Sequence, residues 1–177
     1  MVAINQHNLV AQLNLGDVGN TAEKGAALET VVQETFCLFE GVGLLYTNAT
    51  DEAGSLELDI VLYNQAHGAG LPFLPNYIII ECKNWAQPVN CATLRAFTSK
   101  LRSMRLKFGL LVAANGITGV AAEHTASHAH LRDEFKMDGV IVLVLTRAEF
   151  VALTATEELG ALLRQKFGKF IMGMAAF

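Results

Sequence analysis

The chain has 177 residues, a length that fits one domain able to bury a core without disulfide staples. Apolar residues make up 52% and charged residues 17%, against about 25% charged in ordinary domains, which excludes a disordered chain. The formal net charge of -4 argues against broad non-specific binding to nucleic acid but allows a local basic surface. We therefore expect a single domain over residues 1–177.

Cysteine usage and the pattern of apolar segments favour a cytoplasmic protein. Cys37, Cys82 and Cys91 cannot all pair and none lies in a C-x-x-C motif, so we expect reduced thiols. No Lys or Arg precedes Lys24, so the cationic start of a signal peptide is missing. The longest stretch without a charge, residues 60–80, is interrupted by Gly, Pro and Asn, so we expect no membrane span.

The N-terminal part of the chain favours helices. Within residues 1–19, three apolar residues would suit a short helix: Leu9, Val10 and Leu13. Asn20 followed by Glu23 resembles a capping box, which marks the start of a helix. Apolar residues at helical spacing then predict that this second helix continues to about Phe39.

Strands and helices alternate after this point. The predicted strands are Leu44–Thr47, Leu56–Tyr63, Tyr77–Lys83, Leu110–Ala114 and Val140–Leu145, and the predicted helices are Asn90–Arg105 and about Gly119–Leu131. Thr146 with Glu149 and Thr154 with Glu157 resemble caps, so residues 146–177 should be mostly helical. This order predicts an α/β sandwich on a mixed central sheet, antiparallel first and parallel later, with flanking helices.

Charge is distributed unevenly along the chain. Up to Glu81 there are ten acids and one base, whereas residues 82–122 hold six bases and no acid. Arg95, Arg102 and Arg105 fall on one side of their predicted helix, beside its apolar stripe. This basic edge is either a solvated helix face or a surface that contacts phosphates.

Two predicted strands carry acids and a lysine among their apolar residues. Because strand side chains alternate, Asp59, Glu81 and Lys83 can converge on one face if the two strands are neighbours. Two nearby carboxylates repel each other unless a cation or proton lies between them, and hard oxygen ligands suit Mg²⁺. Glu29 borders the buried face of its helix and could lean over the sheet. The alternatives are a surface ion pair between strands and an ordinary surface glutamate.

These residues resemble a known family. Glu29 in a helix, Asp59 in a strand and the run Ile-Ile-Glu-Cys-Lys-Asn-Trp at residues 79–85 resemble the PD-(D/E)XK, or restriction-endonuclease-like, nuclease superfamily. The helix that follows and Gly-Leu-Leu-Val at residues 109–112 are most similar to the Mrr-type restriction endonuclease branch. The resemblance covers about residues 20–145 and implies an αβββαβ core, the same order as derived above.

The resemblance implies a Mg²⁺-dependent endonuclease that hydrolyses phosphodiester bonds of DNA, in defence or DNA processing. Asp59, Glu81 and the Cys82 carbonyl would hold Mg²⁺, with Mn²⁺ as a substitute, and Glu29 would support the metal through water or hold a second ion. Lys83 would orient or deprotonate the attacking water, or stabilise the pentavalent phosphate. The catalytic set is thus Glu29, Asp59, Glu81 and Lys83, and the expected DNA contacts are Asn84, Trp85, Arg95, Arg102 and Arg105.

Two other functions remain open from the sequence. The first is a nucleic-acid or protein-binding module that keeps the fold without cleavage. The second, weaker alternative is a zinc hydrolase built on His124, His128 and His130, although H-E-x-x-H is absent.

The last eleven residues bear on assembly. Residues 167–177 are apolar apart from one lysine and too short to span a bilayer, so burial against protein is expected. We expect a homodimer, with this tail as a candidate part of its interface, since two-fold dimers are the commonest oligomers. The alternative is a tail that folds back on its own core.

Overall fold

In a computed structural model, the chain is described for residues 2–52, 54, 56–120 and 125–174. Within this part it forms six helices and five strands. The helices are α1 (Gln6–Asp17), α2 (Thr21–Phe36), α3 (Cys91–Ser103), α4 (Ser127–Asp138), α5 (Arg147–Ala152) and α6 (Thr156–Ile171). The strands are β1 (Val42–Thr50), β2 (Glu57–Asn64), β3 (Tyr77–Lys83), β4 (Phe108–Ala113) and β5 (Ile141–Thr146).

The strands form one mixed sheet in the order β1-β2-β3-β4-β5. β1, β2 and β3 pair antiparallel, whereas β3, β4 and β5 pair parallel. The parallel strands are joined through α3 and α4, because a parallel pair needs a crossover connection. The predicted α/β class, with its αβββαβ core and mixed sheet, is confirmed.

The apolar stripe predicted on α3 packs against the sheet. Leu94, Phe97 and Leu101 are almost fully buried. A Cβ on Gly109 of β4 would lie 2.7 Å from Phe97 Cζ and 2.8 Å from Leu101 Cδ1, so glycine lets the helix approach the strand. Since Gly109 is opposite Ile79 in the parallel ladder, α3 covers the sheet face that bears Ile79.

The N-terminal helices agree with the sequence prediction, with one correction. A helix forms where Leu9, Val10 and Leu13 suggested one, and the capping box of Asn20 and Glu23 is present in both directions. However, α2 ends at Phe36 rather than near Phe39. Chain reversal begins there and passes through Gly41, whose φ of 77° favours glycine.

The helix predicted at Gly119–Leu131 is placed wrongly, because α4 begins only at Ser127. Gly119 has a φ of 105°, which is not helical, and the Thr118 and Ser127 hydroxyls are hydrogen-bonded to each other at 2.8 Å. The helix continues to a left-handed cap at Gly139, a stop signal that the prediction did not use.

The C-terminal segment is helical, with one cap as expected and one different. Thr146 and Glu149 form a capping box at the start of α5. The second predicted pair is wrong, since the backbone N–H and hydroxyl of Thr154 donate to Glu158 instead of Glu157. Within the described residues, no helix combines the length and apolar character needed to cross a bilayer.

Part of the apolar tail packs on the chain itself. The Phe170 side chain is fully buried, and its ring lies 5.5 Å from that of Phe135. The Phe167 ring lies 6.1 Å from the Phe108 ring, at a tilt of 48°. Met172 remains exposed, and residues 175–177 lie outside the described part.

The connection between β2 and β3 is tied to one buried amide. Asn64 is fully buried, and its Nδ2 donates to the carbonyls of Leu71 at 2.9 Å, Leu74 at 3.0 Å and Pro75 at 3.2 Å. Its Oδ1 accepts the backbone N–H of Ala66 at 3.1 Å. This long Gly/Pro-containing loop is therefore anchored at the end of β2.

Candidate active site

The register of β2 and β3 brings the acidic residues of the two strands together. Ile60 is opposite Ile80 and Val61 is opposite Ile79 in the antiparallel ladder. Asp59 therefore comes next to Glu81 at the end of the paired segment, on the face covered by α3. Asp59 is 8% exposed and Glu81 5%, so both carboxylates are nearly buried.

The Lys83 ammonium lies among three oxygen groups. Its Nζ is 2.8 Å from Glu81 Oε1, 3.3 Å from Asp59 Oδ2 and 3.1 Å from the Cys82 carbonyl oxygen. Asp59 Oδ2 also accepts the backbone N–H of Cys82 at 2.7 Å, which fixes the carboxylate against β3. One cation thus joins the three groups expected to bind metal.

A second lysine, which the sequence reasoning missed, comes from α3. Lys100 Nζ donates to Glu81 Oε2 at 2.9 Å and to Oε1 at 3.2 Å. The available signal was its position three residues after Phe97 and four before Met104, which places a cation at the border of the buried stripe. Glu81 consequently lies between two ammonium groups.

Glu29 approaches the same region from α2. Its Oε2 accepts from Asn48 Nδ2 of β1 at 3.3 Å. Burial, and then the negative charge of Asp59, raise the pKa of Glu29, while the Asn48 hydrogen bond opposes the change. The negative charge of Asp59 therefore acts on the Glu29 carboxylate through space, without a direct bond between the two side chains.

The electrostatics of the site keep Lys83 charged. Burial lowers the pKa of Lys83, but the charge of Glu81 and Asp59 and their hydrogen bonds outweigh burial, so the net pKa is raised. Burial raises the pKa of the Cys82 thiol well above its usual value, and the nearby carboxylates add to this. In this arrangement Lys83 is a charged hydrogen-bond donor, and the Cys82 side chain is a neutral thiol.

These residues line an open cleft of about 280 Å³. Its walls include Glu29, Asn48, Asp59, Glu81, Lys83, Asn84, Trp85 and Lys100. Asn84 Nδ2 donates to the Lys24 carbonyl at 3.0 Å, which ties the end of β3 to α2. Trp85 is 40% exposed at the rim, so its ring is accessible to a bound molecule.

The basic edge of α3 lies away from this cleft. Arg95 and Arg102 are about 140–160° around α3 from Lys100, and the described lining includes neither of them. The prediction that Arg105 shares this helix face is wrong, because α3 ends at Ser103 and Arg105 has a left-handed φ of 57°. Arg102 Nη1 is 2.6 Å from a Glu134 carboxylate oxygen on α4, so this guanidinium is engaged within the protein. Arg95 and Arg105 are exposed.

The histidines of the alternative zinc site are not brought together within the described part of the chain. His124 lies outside the described residues. His128 is buried, whereas the His130 ring lies 3.2 Å from the Thr98 hydroxyl and is engaged with α3. In the described ranges, no group of three or more His, Cys, Asp or Glu side chains is close enough to hold a metal ion.

The donor chemistry of the cleft nevertheless fits a hard divalent cation. Asp59, Glu81 and the Cys82 carbonyl present oxygen atoms, the ligand type that Mg²⁺ prefers. The ammonium of Lys83 lies 2.8–3.3 Å from all three groups. These oxygens therefore stabilise a positive charge at this position. A metal ion bound there would replace the ammonium.

Comparison with known proteins identifies the family. A family model described as restriction endonuclease, for the Mrr catalytic domain, matches residues 22–153. The chain therefore belongs to the restriction endonuclease family and, within it, to the Mrr-type branch of the PD-(D/E)XK nucleases. A comparison with curated proteins gave no match.

Proposed function

We propose that this protein is a Mg²⁺-dependent endonuclease that hydrolyses phosphodiester bonds of DNA. The observation that carries the proposal is the Lys83 ammonium, which is bound by the same three oxygen groups expected to hold the metal. Membership of the restriction endonuclease family supports a nuclease. The proposal extends to a role in defence or DNA processing, to a cytoplasmic location and to one nuclease-like domain over residues 1–177.

Each residue of the cleft has a role in this proposal. Asp59, Glu81 and the Cys82 carbonyl hold Mg²⁺, or Mn²⁺ in its place, and Glu29 supports the site from α2. When bound, the metal supplies Lewis acidity to the phosphate and lowers the pKa of a bound water. Lys83, displaced from its oxygens, donates hydrogen bonds to the attacking water or to the phosphate, where negative charge develops.

The DNA is proposed to lie across the cleft mouth. The Trp85 ring is exposed at the rim, and stacking on an aromatic ring accommodates any unpaired base. Asn84 is proposed as a weaker contact, because its Nδ2 already donates to the Lys24 carbonyl. Arg95 and Arg105 are proposed to contact phosphates farther along the duplex. Arg102 is proposed as a weaker contact because Glu134 competes for its guanidinium.

Plasmid cleavage tests the proposal. Purified protein should nick or linearise supercoiled DNA with Mg²⁺ or Mn²⁺, and Lys83→Ala should reduce the rate at least a hundredfold. Lys136→Ala, which removes an exposed lysine in the last turn of α4, should cleave like the parent. Equal rates for the parent and Lys83→Ala would refute the assignment, and DNA binding without cleavage by the parent would favour a binding module.

We also propose a homodimer, in which two cleavage sites serve the two strands of a duplex. The exposed end of the tail, including Met172, is the proposed contribution of the C-terminus, because Phe170 is already buried within the chain. Light scattering at micromolar concentration should give the mass of a dimer, and Met172→Lys should shift it toward the monomer. A monomeric mass for the parent would end this part of the proposal.

A further inference from the structure

Two lysine ammonium groups contact the Glu81 carboxylate. Lys83 contacts Oε1 at 2.8 Å, and Lys100 contacts Oε2 at 2.9 Å and Oε1 at 3.2 Å. With the side chain 7% exposed, these ammonium groups take the place of water. Both oxygens of Glu81 are thus engaged before any metal arrives.

The two lysines play different parts because they come from different elements. Lys83 lies on the same strand as Glu81 and also bonds to Asp59 and the Cys82 carbonyl, so a metal at these oxygens replaces it. Lys100 comes from α3 and donates hydrogen bonds to both carboxylate oxygens of Glu81. It can therefore stay beside Glu81 after the exchange.

Formal charge shows what Lys100 does to the site. Asp59 and Glu81 carry two negative charges, and Lys83 and Lys100 carry two positive charges, so this group of four is neutral. A divalent ion that displaces Lys83 still meets the positive charge of Lys100 across the Glu81 carboxylate. Coulomb repulsion between the metal ion and the Lys100 ammonium lowers metal affinity. Metal binding also breaks the nearly buried ion pair between Lys83 and Glu81, which costs more free energy than breaking an exposed pair.

We propose that Lys100 is a further positioning residue of this site, which orients Glu81 in the metal-free protein and competes with the metal ion for its carboxylate. This inference rests on the proposed function, since it assumes that Asp59 and Glu81 bind metal. It adds a residue from α3 to a site otherwise built from α2, β1, β2 and β3. It also requires the metal to bind more weakly in the parent than in a variant without the second ammonium.

Calorimetric titration with Mn²⁺ alone, in the absence of DNA, tests the inference. Lys100→Gln keeps a polar side chain but removes the charge, and it should bind Mn²⁺ about tenfold more tightly than the parent. Lys100→Arg keeps the charge and can donate two hydrogen bonds to Glu81, so its affinity should match the parent. Lys136→Gln is the matched control for removal of a lysine charge elsewhere, and it should also match the parent.

The direction of the change separates this role from a merely structural one. A residue that only supports the fold would weaken metal binding when replaced, so equal or weaker binding by Lys100→Gln overturns the inference. Thermal melting shows whether each variant is folded, and if Lys100→Gln unfolds, Lys100→Met is titrated under the same criterion. If the parent cleaves plasmid while the variants bind no more tightly, the inference fails and the nuclease proposal stands. If neither parent nor variants bind Mn²⁺, both fail.

Discussion

Replacing Asn64 with aspartate should destabilise the fold by about 3–5 kcal/mol, although the side chain keeps its shape. The amide Nδ2 has two hydrogens shared among three carbonyl oxygens, those of Leu71, Leu74 and Pro75. Losing two hydrogen bonds costs about 1 kcal/mol each, and an aspartate oxygen facing carbonyl oxygens adds the cost of burying an uncompensated negative charge. Asn76, an exposed residue with one amide hydrogen bond to the Asn64 carbonyl, offers a control.

Urea unfolding at pH 7, followed by circular dichroism, measures this effect. Asn76→Asp should lose about 1 kcal/mol or less. The loss of unfolding free energy in Asn64→Asp should become smaller as the pH falls. The folded state favours the neutral carboxyl group, which raises the pKa of that group above its value in the unfolded chain. A loss below about 1 kcal/mol for Asn64→Asp, or an equal loss for Asn76→Asp, would refute the view that this amide anchors the loop.

Three further predictions concern the cleft, the basic edge and a histidine. Asp59→Asn should abolish Mn²⁺ binding in calorimetry, because a charged oxygen ligand is lost, and binding equal to the parent would show that Asp59 is misassigned. Replacing Arg95 and Arg105 with alanine should flatten the log–log salt dependence of DNA affinity by up to about one unit per phosphate contact, and Arg102→Ala by less; an unchanged slope would make this edge a solvated face. Burial lowers the pKa of His130, so the unfolded chain takes up the proton first and stability falls as pH drops below about 6.5. His130→Gln should lose less stability between pH 7 and pH 5 in urea titrations, and parallel pH profiles would contradict this.

The sequence predicted the sheet well because local patterns determine its strands. Period-two alternation placed Asp59 on one face of its strand and Glu81 and Lys83 on one face of the next. The observed register then put the two strands side by side. The apolar stripe of α3 was equally readable, since helical periodicity identified Phe97 and Leu101 as buried.

What the sequence did not predict depends on how the elements lie against each other. The contact of Lys100 with Glu81 requires the rotation of α3 above the sheet, which helical periodicity alone does not specify. The Arg102–Glu134 pair was missed because α4 was placed too early in the chain, so Glu134 had no assigned position. In both cases a carboxylate far away in the sequence, Glu81 or Glu134, determines whether the lysine or arginine side chain is available to bind another molecule.

The antiparallel pairing of β2 and β3 has a consequence for how this chain tolerates insertions. Because side chains alternate along a strand, a slip of one residue in either strand would turn Asp59 to the face opposite Glu81 and Lys83. The carboxylate cluster therefore survives only those length changes that leave the ladder intact. Residues 67–69 are free of this parity because they are exposed and make no hydrogen bond to Asn64, and doubling the length of a flexible connection costs only about 0.6 kcal/mol. Added residues are thus compatible with the cleft when they enter the surface connection beyond the Asn64 anchor, and incompatible with it when they enter the strands.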